Sequence, residues 1–563
     1  MMKRFCLFLI CLMMGVLPIA AQVSVVFSRP GGFYPEAFSL AMETRNTEDP
    51  SLQIRYTLNG SVPTSGSLLY THPLEMSREL YSASNIYKIP NTIPQYSVPA
   101  PSEVERLVVV RAAAFDTSGS CCSDVITCSY LIAPLLGREI RIPVLSLCVD
   151  SAALFDPDMG IFVPGSSFDP ARPDGTGNYY RKGRDCEKAA YMELFDGSVV
   201  LAQPCGVRTH GDRARRYAQK GLSLYARKEY GEKRFGPVFG DEGPMPKHIV
   251  LKPFSGGWTP MGFQDLFCQN MAGLFGTFGS LNARPVVLFL NGEYWGIYFL
   301  EEEPDERYLE DHYGVDRRQV SIVRDWAGHN KDMDIDSAFS SMMDWLQTAD
   351  LSDRRQYEKI SKMVDVASFT DYVLFETFIG NRDWPANNMR CWSVDGSPWR
   401  FIFFDGDAIR TRHFDCVENA LYDGDDMCWP TSAAATLLLR RLMQNAEYRE
   451  FFVQRLDEFQ RLFSFAHHKS VLQDFEQMVS ALKPEIPYQS KRFGFPKSSG
   501  SWRRAVSQQR RYWRHRGDEV RRAWMDVIRK YDGKSRPVRW WLALVVAAVM
   551  GLGAVVAARR WRR

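Results

Sequence analysis

The sequence predicts a multidomain chain: a β-sandwich, then an α+β domain that is sheet-rich in its first half and helical in its second half, then a carboxy-terminal transmembrane helix. Three observations carry this. Residues 23–133 read as short alternating stretches punctuated by turn residues, the mark of half-buried strands. Residues 142–531 carry strand-like segments first and long helical periodicity later, the order expected of segregated sheet and helix layers. Residues 540–558 form an apolar run about long enough, at roughly 20 residues, to cross a bilayer as a helix. With 563 residues the chain holds more than one core, and 45% hydrophobic with 24% charged residues is the composition of a folded protein. A net charge of +3 supplies no global pull toward nucleic acid, so none is expected as a partner, and local runs such as Arg213, Arg215 and Arg216 are judged singly.

The elements follow in order. Lys3 and Arg4, an apolar run from Phe5 to Leu17 and the small Ala20 and Ala21 make residues 1–21 a secretory signal, with the mature chain starting near Gln22. Cys11 lies between the large Ile10 and Leu12, which argues against a lipoprotein site. Within 23–133, Leu52–Leu58 runs into the Asn59-Gly60 turn, Leu107–Phe115 reads as a largely buried strand and Val125–Leu131 as a closing one. Pro134–Arg141 reads as a linker. In 142–531 the strand-like segments are Ala190–Phe195, Gly221–Arg227, Ile249–Lys252, Pro285–Leu290 and Gly296–Leu300, and the helical ones include Ala367–Phe378 and Tyr448–Phe463. The stretch Lys491–Gly517, basic and Ser/Gly-rich around Ser498–Ser501, reads as an exposed loop. The arginines of the tail 559–563 place that tail in the cytoplasm by the positive-inside tendency, so the chain is expected to be exported and held in the membrane through 540–558 with its bulk extracytoplasmic. A sorting tail cut off after export would have the same three parts. Oxidising conditions would permit disulfides, and Cys121, Cys122 and Cys128 could cross-link the last hairpin of the first domain.

The densest chemical constellation is Asn381-Arg382-Asp383-Trp384-Pro385-Ala386-Asn387-Asn388, followed after a short extended stretch by Phe403-Phe404-Asp405-Gly406-Asp407. Kinases place a catalytic aspartate five residues before a metal-binding asparagine, then a metal-binding aspartate one hairpin later, and Asp383, Asn388 and Asp405 have that spacing. Phosphoryl transfer needs such a set because a hard cation must bridge concentrated phosphate charge and prefers carboxylate and amide oxygens. Asp383 would take the proton of the acceptor hydroxyl. Asn388 and Asp405 would hold metal, with Asp407 as a further ligand. A D-x-D pair alone is also used by nucleotide-sugar transferases and by simple surface turns. The histidines His210, His413, His467 and His468 lack metal-ligand spacing, and no G-x-S-x-G or H-E-x-x-H occurs, so hydrolase and zincin chemistries lack support.

Two resemblances add to this. Ile54 through Thr64, with Ser67 and Tyr70, resembles the immunoglobulin-like carboxy-terminal module of chitobiases and β-hexosaminidases. In such modules the motif is architectural, a spacer, although a glycan contact could be made through it. The constellation around Asp383 and Asp405, together with Ala283 through Tyr298 and its following Glu302, Asp305, Tyr308 and Leu309, resembles the CotH (spore coat protein H) kinase family; Phe155-Asp156-Pro157 and Arg208-Thr209-His210-Gly211 through Leu222 extend the likeness over residues 142–531. The resemblance implies an atypical kinase-like domain that uses ATP or another nucleotide donor with Mg2+. It further implies Lys220 as the phosphate-binding lysine on a strand, Glu302 as its acidic partner and Arg215 as a second phosphate contact. The chain departs from the family pattern at Ala214, Ala218 and Gly221, and at the glycine between Asp405 and Asp407, which leaves a catalytically silent member open. Two functions result: an extracytoplasmic kinase acting on serine or threonine of exported proteins, and a non-catalytic surface-anchored glycan-binding or scaffold protein.

Overall fold

Apolar and polar residues alternate through the first module, and a computed structural model of the chain turns that alternation into paired strands. It describes residues 22–77, 80, 105–132, 140–240, 242–256, 259–325, 336–409, 416–424, 431–463 and 469–533. A five-stranded sheet runs in the order Gly32–Tyr34, Ile126–Ile132, Val108–Phe115, Gln53–Thr57, Leu68–Leu69, with two smaller sheets pairing Ser24–Phe27 with Met42–Arg45 and Phe38–Leu40 with Leu74–Met76. Val25, Leu40, Ile54, Met76, Val110 and Tyr130 are among the residues of one core enclosed by them. The expected strands at 52–58, 107–115 and 125–131 therefore stand within a residue or two of where the period of two put them.

The sheet-rich half of the second region closes into a barrel. Its strands run Val144–Val149, Lys188–Asp196, Ser198–His210, Gly221–Tyr225, His248–Pro253, Glu293–Glu302 and Ala283–Leu290, and the last returns to the first in parallel, Val144 opposite Val287 and Leu147 opposite Leu290. Closure removes the sheet edges that an open arrangement would leave unpaired. Alternate residues line the interior, among them Leu222, Leu224, Ile249, Leu251, Tyr298 and Leu300, with Phe162 and Trp295. At Gly296, whose φ is 92°, a Cβ would come within 2.3 Å of Gln489 Oε1 and 2.7 Å of Gln219 Nε2. That glycine leaves room for Gln489 Oε1 to accept the Ile297 N–H at 2.9 Å while its Nε2 donates to Gln219 Oε1 at 3.0 Å, which ties helix Ile486–Phe493 to the barrel.

The chain divides into two compact units. One joins the sandwich, the barrel and residues 478–503; the other holds residues 267–281, 304–477 and 504 onward. The division does not follow the expected linker, because the sandwich is hydrogen-bonded to the barrel: Leu107 N–H donates to Gly292 O at 2.9 Å, Tyr294 N–H to Glu105 O at 2.8 Å. The second unit is mainly helical, with a three-stranded antiparallel sheet of Val320–Arg324, Arg390–Val394 and Arg400–Phe401. Helix Val366–Ile379 lies at its centre, every residue from Ser368 on buried.

Several expectations are corrected here. Among the described residues no helix is long and apolar enough to cross a membrane. The longest, Ser499–Tyr531, has the length, but arginines recur along it and no apolar stretch spans it. The sandwich and the sheet-then-helix order of the expected fold class stand; the expected transmembrane helix, and the membrane-anchored localisation built on it, are corrected to this extent, that no described helix supplies such an anchor. The span assigned to 540–558, the tail 559–563 and the signal 1–21 lie outside the described residues. The expected exposed loop at 491–517 is instead mostly helix, because Trp502, Val506, Trp513, Val520, Trp524 and Ile528 recur at helical spacing and are buried. Cys121, Cys122 and Cys128 are free thiols rather than a cross-link.

Candidate functional site

Helix Val366–Ile379 fixes the first group of candidate residues. Asp365 caps its start by accepting the Ser368 N–H, and Gly380 ends it in the left-handed region at φ 73°. The departing chain is pinned at once. Asn381 Nδ2 donates to Glu376 Oε2 at 3.0 Å, and its Oδ1 accepts the Asp383 N–H at 3.1 Å. The loop carrying Asp405 and Asp407 is stitched to this segment at two points: Arg382 N–H donates to Ala408 O at 3.2 Å, and Asn388 Nδ2 donates to Asp405 O at 3.2 Å. Tyr372, buried on the helix, supports the segment by donating its hydroxyl to Asn388 O at 3.3 Å. Asp383, Asp405 and Asp407 are half-buried and Asn388 is buried. Asn388 at φ 58° and Asp405 at φ 61° both occupy the left-handed region, uncommon for residues other than glycine and frequent where a loop is held for function.

Gly406 between the two aspartates has a packing reason. A Cβ there would lie 2.6 Å from Phe403 Cζ and 3.1 Å from Cys268 Cβ. The glycine therefore lets the Asp405–Asp407 turn lie against a buried aromatic; it is close packing rather than looseness. Among the described residues no group of three or more His, Cys, Asp or Glu side chains is arranged to hold a metal ion. The oxygen donors of Asn388, Asp405 and Asp407 are nonetheless the hard ligands that Mg2+ takes.

The second group lies on the barrel. Lys220 directly precedes strand Gly221–Tyr225 and is fully buried; its Nζ donates to Tyr217 O at 2.9 Å and sits 4.3 Å from the centre of the Tyr179 ring. Burial holds its ammonium well below the usual lysine range. Glu302 ends strand Glu293–Glu302 and accepts from the N–H and Nδ2 of Asn282, each at 2.9 Å. Register separates these two: Leu222 is opposite Leu251 and Leu251 opposite Leu300, so Lys220 is level with Tyr298, four residues and about 13 Å along the sheet from Glu302. Arg215, half-buried at the end of a short 3-10 turn, donates through Nε to Gly211 O at 2.5 Å and through Nη1 to Arg181 O at 3.4 Å.

The sequence reading missed a lysine-centred cluster on the same sheet. Lys252 Nζ lies 3.0 Å from Glu301 Oε2 and is hydrogen-bonded to Asp265 Oδ2; both carboxylates are largely buried and the lysine side chain is 25% exposed. Asp265 stands in the first turn of helix Gln264–Ala272. The signal was present as a lysine closing the expected strand Ile249–Lys252 ahead of a helix, a pattern shared by many unrelated surface lysines. His210, set aside in the sequence for want of metal-ligand spacing, lies beside this cluster: its Nδ1 is 2.9 Å from Ser223 Oγ, its titratable neighbours are Glu303, His248, Lys252 and Arg215, and burial pushes it down to about 4.

Comparison with known families agrees with this anatomy. Residues 29–127 match the model of the chitobiase/beta-hexosaminidase C-terminal domain, over the sandwich. No curated protein matches the chain. Residues 207–520, more than half of the chain, match the model of the CotH kinase protein, from the third barrel strand through the Asp383 and Asp405 loops into the long terminal helix, and the protein belongs to the CotH kinase family.

Proposed function

We propose that the protein is an atypical kinase that transfers the terminal phosphoryl group of a nucleotide, with ATP as the donor of choice, to serine or threonine hydroxyls of a protein substrate. The observation that carries this is the double stitch between the Asp383–Asn388 segment and the Asp405–Asp407 loop, through Arg382 to Ala408 and Asn388 to Asp405. It supports reading these residues as one catalytic group, since phosphoryl transfer is mostly positioning and electrostatics.

In this reading Asp383 accepts the proton of the attacking hydroxyl as its oxygen bonds to the terminal phosphorus and the bond to the bridging oxygen breaks, releasing nucleoside diphosphate. Asn388, Asp405 and Asp407 would hold Mg2+, which would neutralise charge on the terminal phosphates. The Asn381 Oδ1 that accepts the Asp383 N–H fixes the backbone from which the base projects. The family resemblance puts Glu302 and Arg215 on the phosphate side, and makes the sandwich a place where glycan could be held.

The test is transfer of labelled terminal phosphate to an acidic, a basic and a neutral Ser/Thr protein by the full chain, with MgATP binding by calorimetry. Asp383→Ala should keep nucleotide binding and lose transfer; Asp405→Ala should lose metal-dependent binding. Transfer unchanged in both variants, with folded protein, would rule the reading out.

A further inference from the structure

Strand alternation decides which lysine can meet a phosphate. On Gly221–Tyr225 the inward residues are Leu222 and Leu224, and on His248–Pro253 they are Ile249 and Leu251. Lys220 continues the inward set and ends within the barrel, its ammonium between Tyr217 O and the Tyr179 and Phe162 rings. Lys252 belongs to the outward set. At its level the outer face reads His210, Gly221, Lys252 across three neighbouring strands, because His210 pairs with Gly221 and Leu222 with Leu251. Gly221 between them is itself buried, and a Cβ there would lie 2.7 Å from His210 O, so the chain packs closely between His210 and Lys252; Arg215 is close enough to His210 to perturb its titration. The outer face therefore carries the partly exposed Lys252, with Arg215 near His210, whereas the inner one is an apolar core.

The order of elements points the same way. In protein kinases the phosphate-binding lysine lies on a strand and is positioned by an acidic residue on the helix that follows. Here strand His248–Pro253 carries Lys252, helix Gln264–Ala272 follows with Asp265 in its first turn, and the hairpin Ala283–Leu290 with Glu293–Glu302 comes next and supplies Glu301. Two largely buried carboxylates hold this lysine in ion pairs and fix its direction.

We propose that Lys252, held by Asp265 and Glu301, is the phosphate-contacting lysine of this protein, and that Lys220 is a structural residue of the barrel core. This rests on the kinase reading above. Asp265 and Glu301 are positioning residues.

The experiment is calorimetric titration of the full chain with MgATP and, separately, with adenosine, which shares the base and sugar but has no phosphate. Lys252→Met should weaken MgATP about 10- to 100-fold, the loss expected for one charge-assisted contact, while adenosine changes less than about twofold. Lys220→Met should leave the ratio of the two affinities unchanged, whatever it does to thermal stability. Should Lys252→Met fail to fold, amine acetylation of the wild type read by peptide mapping replaces it: MgATP should protect Lys252 several-fold and adenosine should not. A wild type that binds MgATP, with an unchanged ratio or no protection at Lys252, overturns this assignment alone. A wild type that binds neither ligand overturns the kinase reading and the assignment together.

Discussion

Glu193 provides a prediction whose size can be worked from its surroundings. It lies on strand Lys188–Asp196, is 2% exposed, and faces the sandwich. Its Oε2 accepts the Ser129 hydroxyl at 2.5 Å, its Oε1 accepts the Ser129 N–H at 3.2 Å, and Ser129 Oγ is also 2.8 Å from Ser146 Oγ. Burial pushes its carboxyl up to about 7 from an ordinary 4.5, against the opposing pull of the two Ser129 hydrogen bonds. The nearby Cys128 and Cys148 thiols, each pushed up to about 12, and the Tyr191 hydroxyl are neutral across this range, leaving Arg111 as the neighbouring cation. A folded value above the unfolded one means the native state binds the extra proton. The stabilisation is complete below about pH 4.5 and is lost as pH rises through 7, amounting to about 3 kcal/mol at 1.36 kcal/mol per unit. Glu193→Gln keeps an acceptor for Ser129 and removes the titration. Hydrogen exchange of strand Ile126–Ile132, corrected for the intrinsic pH dependence, should lose protection about 100-fold between pH 5 and pH 8 in the wild type and stay level in the variant. An equal slope in both proteins, or a wild type better protected at pH 8, would refute the reasoning.

Two further outcomes test the helical unit. Gly406→Ala should cost about 1–3 kcal/mol and weaken MgATP binding together, because its Cβ would stand 2.6 Å from the Phe403 ring; an unchanged melting midpoint would remove the close-packing argument. Asp371→Asn should cost about 3 kcal/mol by urea unfolding. Its buried carboxylate accepts Thr277 Oγ1 at 2.5 Å and Arg455 Nε at 2.8 Å, and the change leaves a partly buried guanidinium with only the more exposed Glu458 as its charged partner among the described ion pairs; restoration by Arg455→Met in the double variant is expected, and additive losses would contradict it.

Local pattern made much of this architecture legible. A period of two placed three sandwich strands and five of the seven barrel strands to within a few residues, and helical periodicity placed Val366–Ile379 and Ala446–Phe463. The spacing from Asp383 through Asn388 to Asp405 marked two loops that turn out to be hydrogen-bonded together. What escaped depends on pairing between distant residues. The parallel contact of Val144–Val149 with Ala283–Leu290 closes the barrel across more than a third of the second region, and no short-range signal encodes it. The helix Ser499–Tyr531 was hidden for another reason: its buried tryptophans are spaced correctly, but the arginines between them and the Ser-Gly start read as solvated loop.

The two lysines bring these limits together. In the sequence, Lys220 precedes Gly-Leu-Ser-Leu-Tyr and Lys252 follows His-Ile-Val-Leu, each at one end of an apolar strand, and a family landmark favours the first. Only register tells them apart. A side chain's face is fixed by its parity relative to the core, so a shift of one position exchanges barrel interior for outer surface. Lys220 has the parity of Leu222 and takes an apolar site in which an ammonium is disfavoured; Lys252 has the opposite parity and finds Asp265 and Glu301. A motif conveys that a lysine stands at a strand end, whereas the charge state a phosphate contact requires is set by the other strands. For that reason the choice of phosphate lysine, on the kinase reading, follows from the barrel's pairing and cannot be carried over from the motif alone.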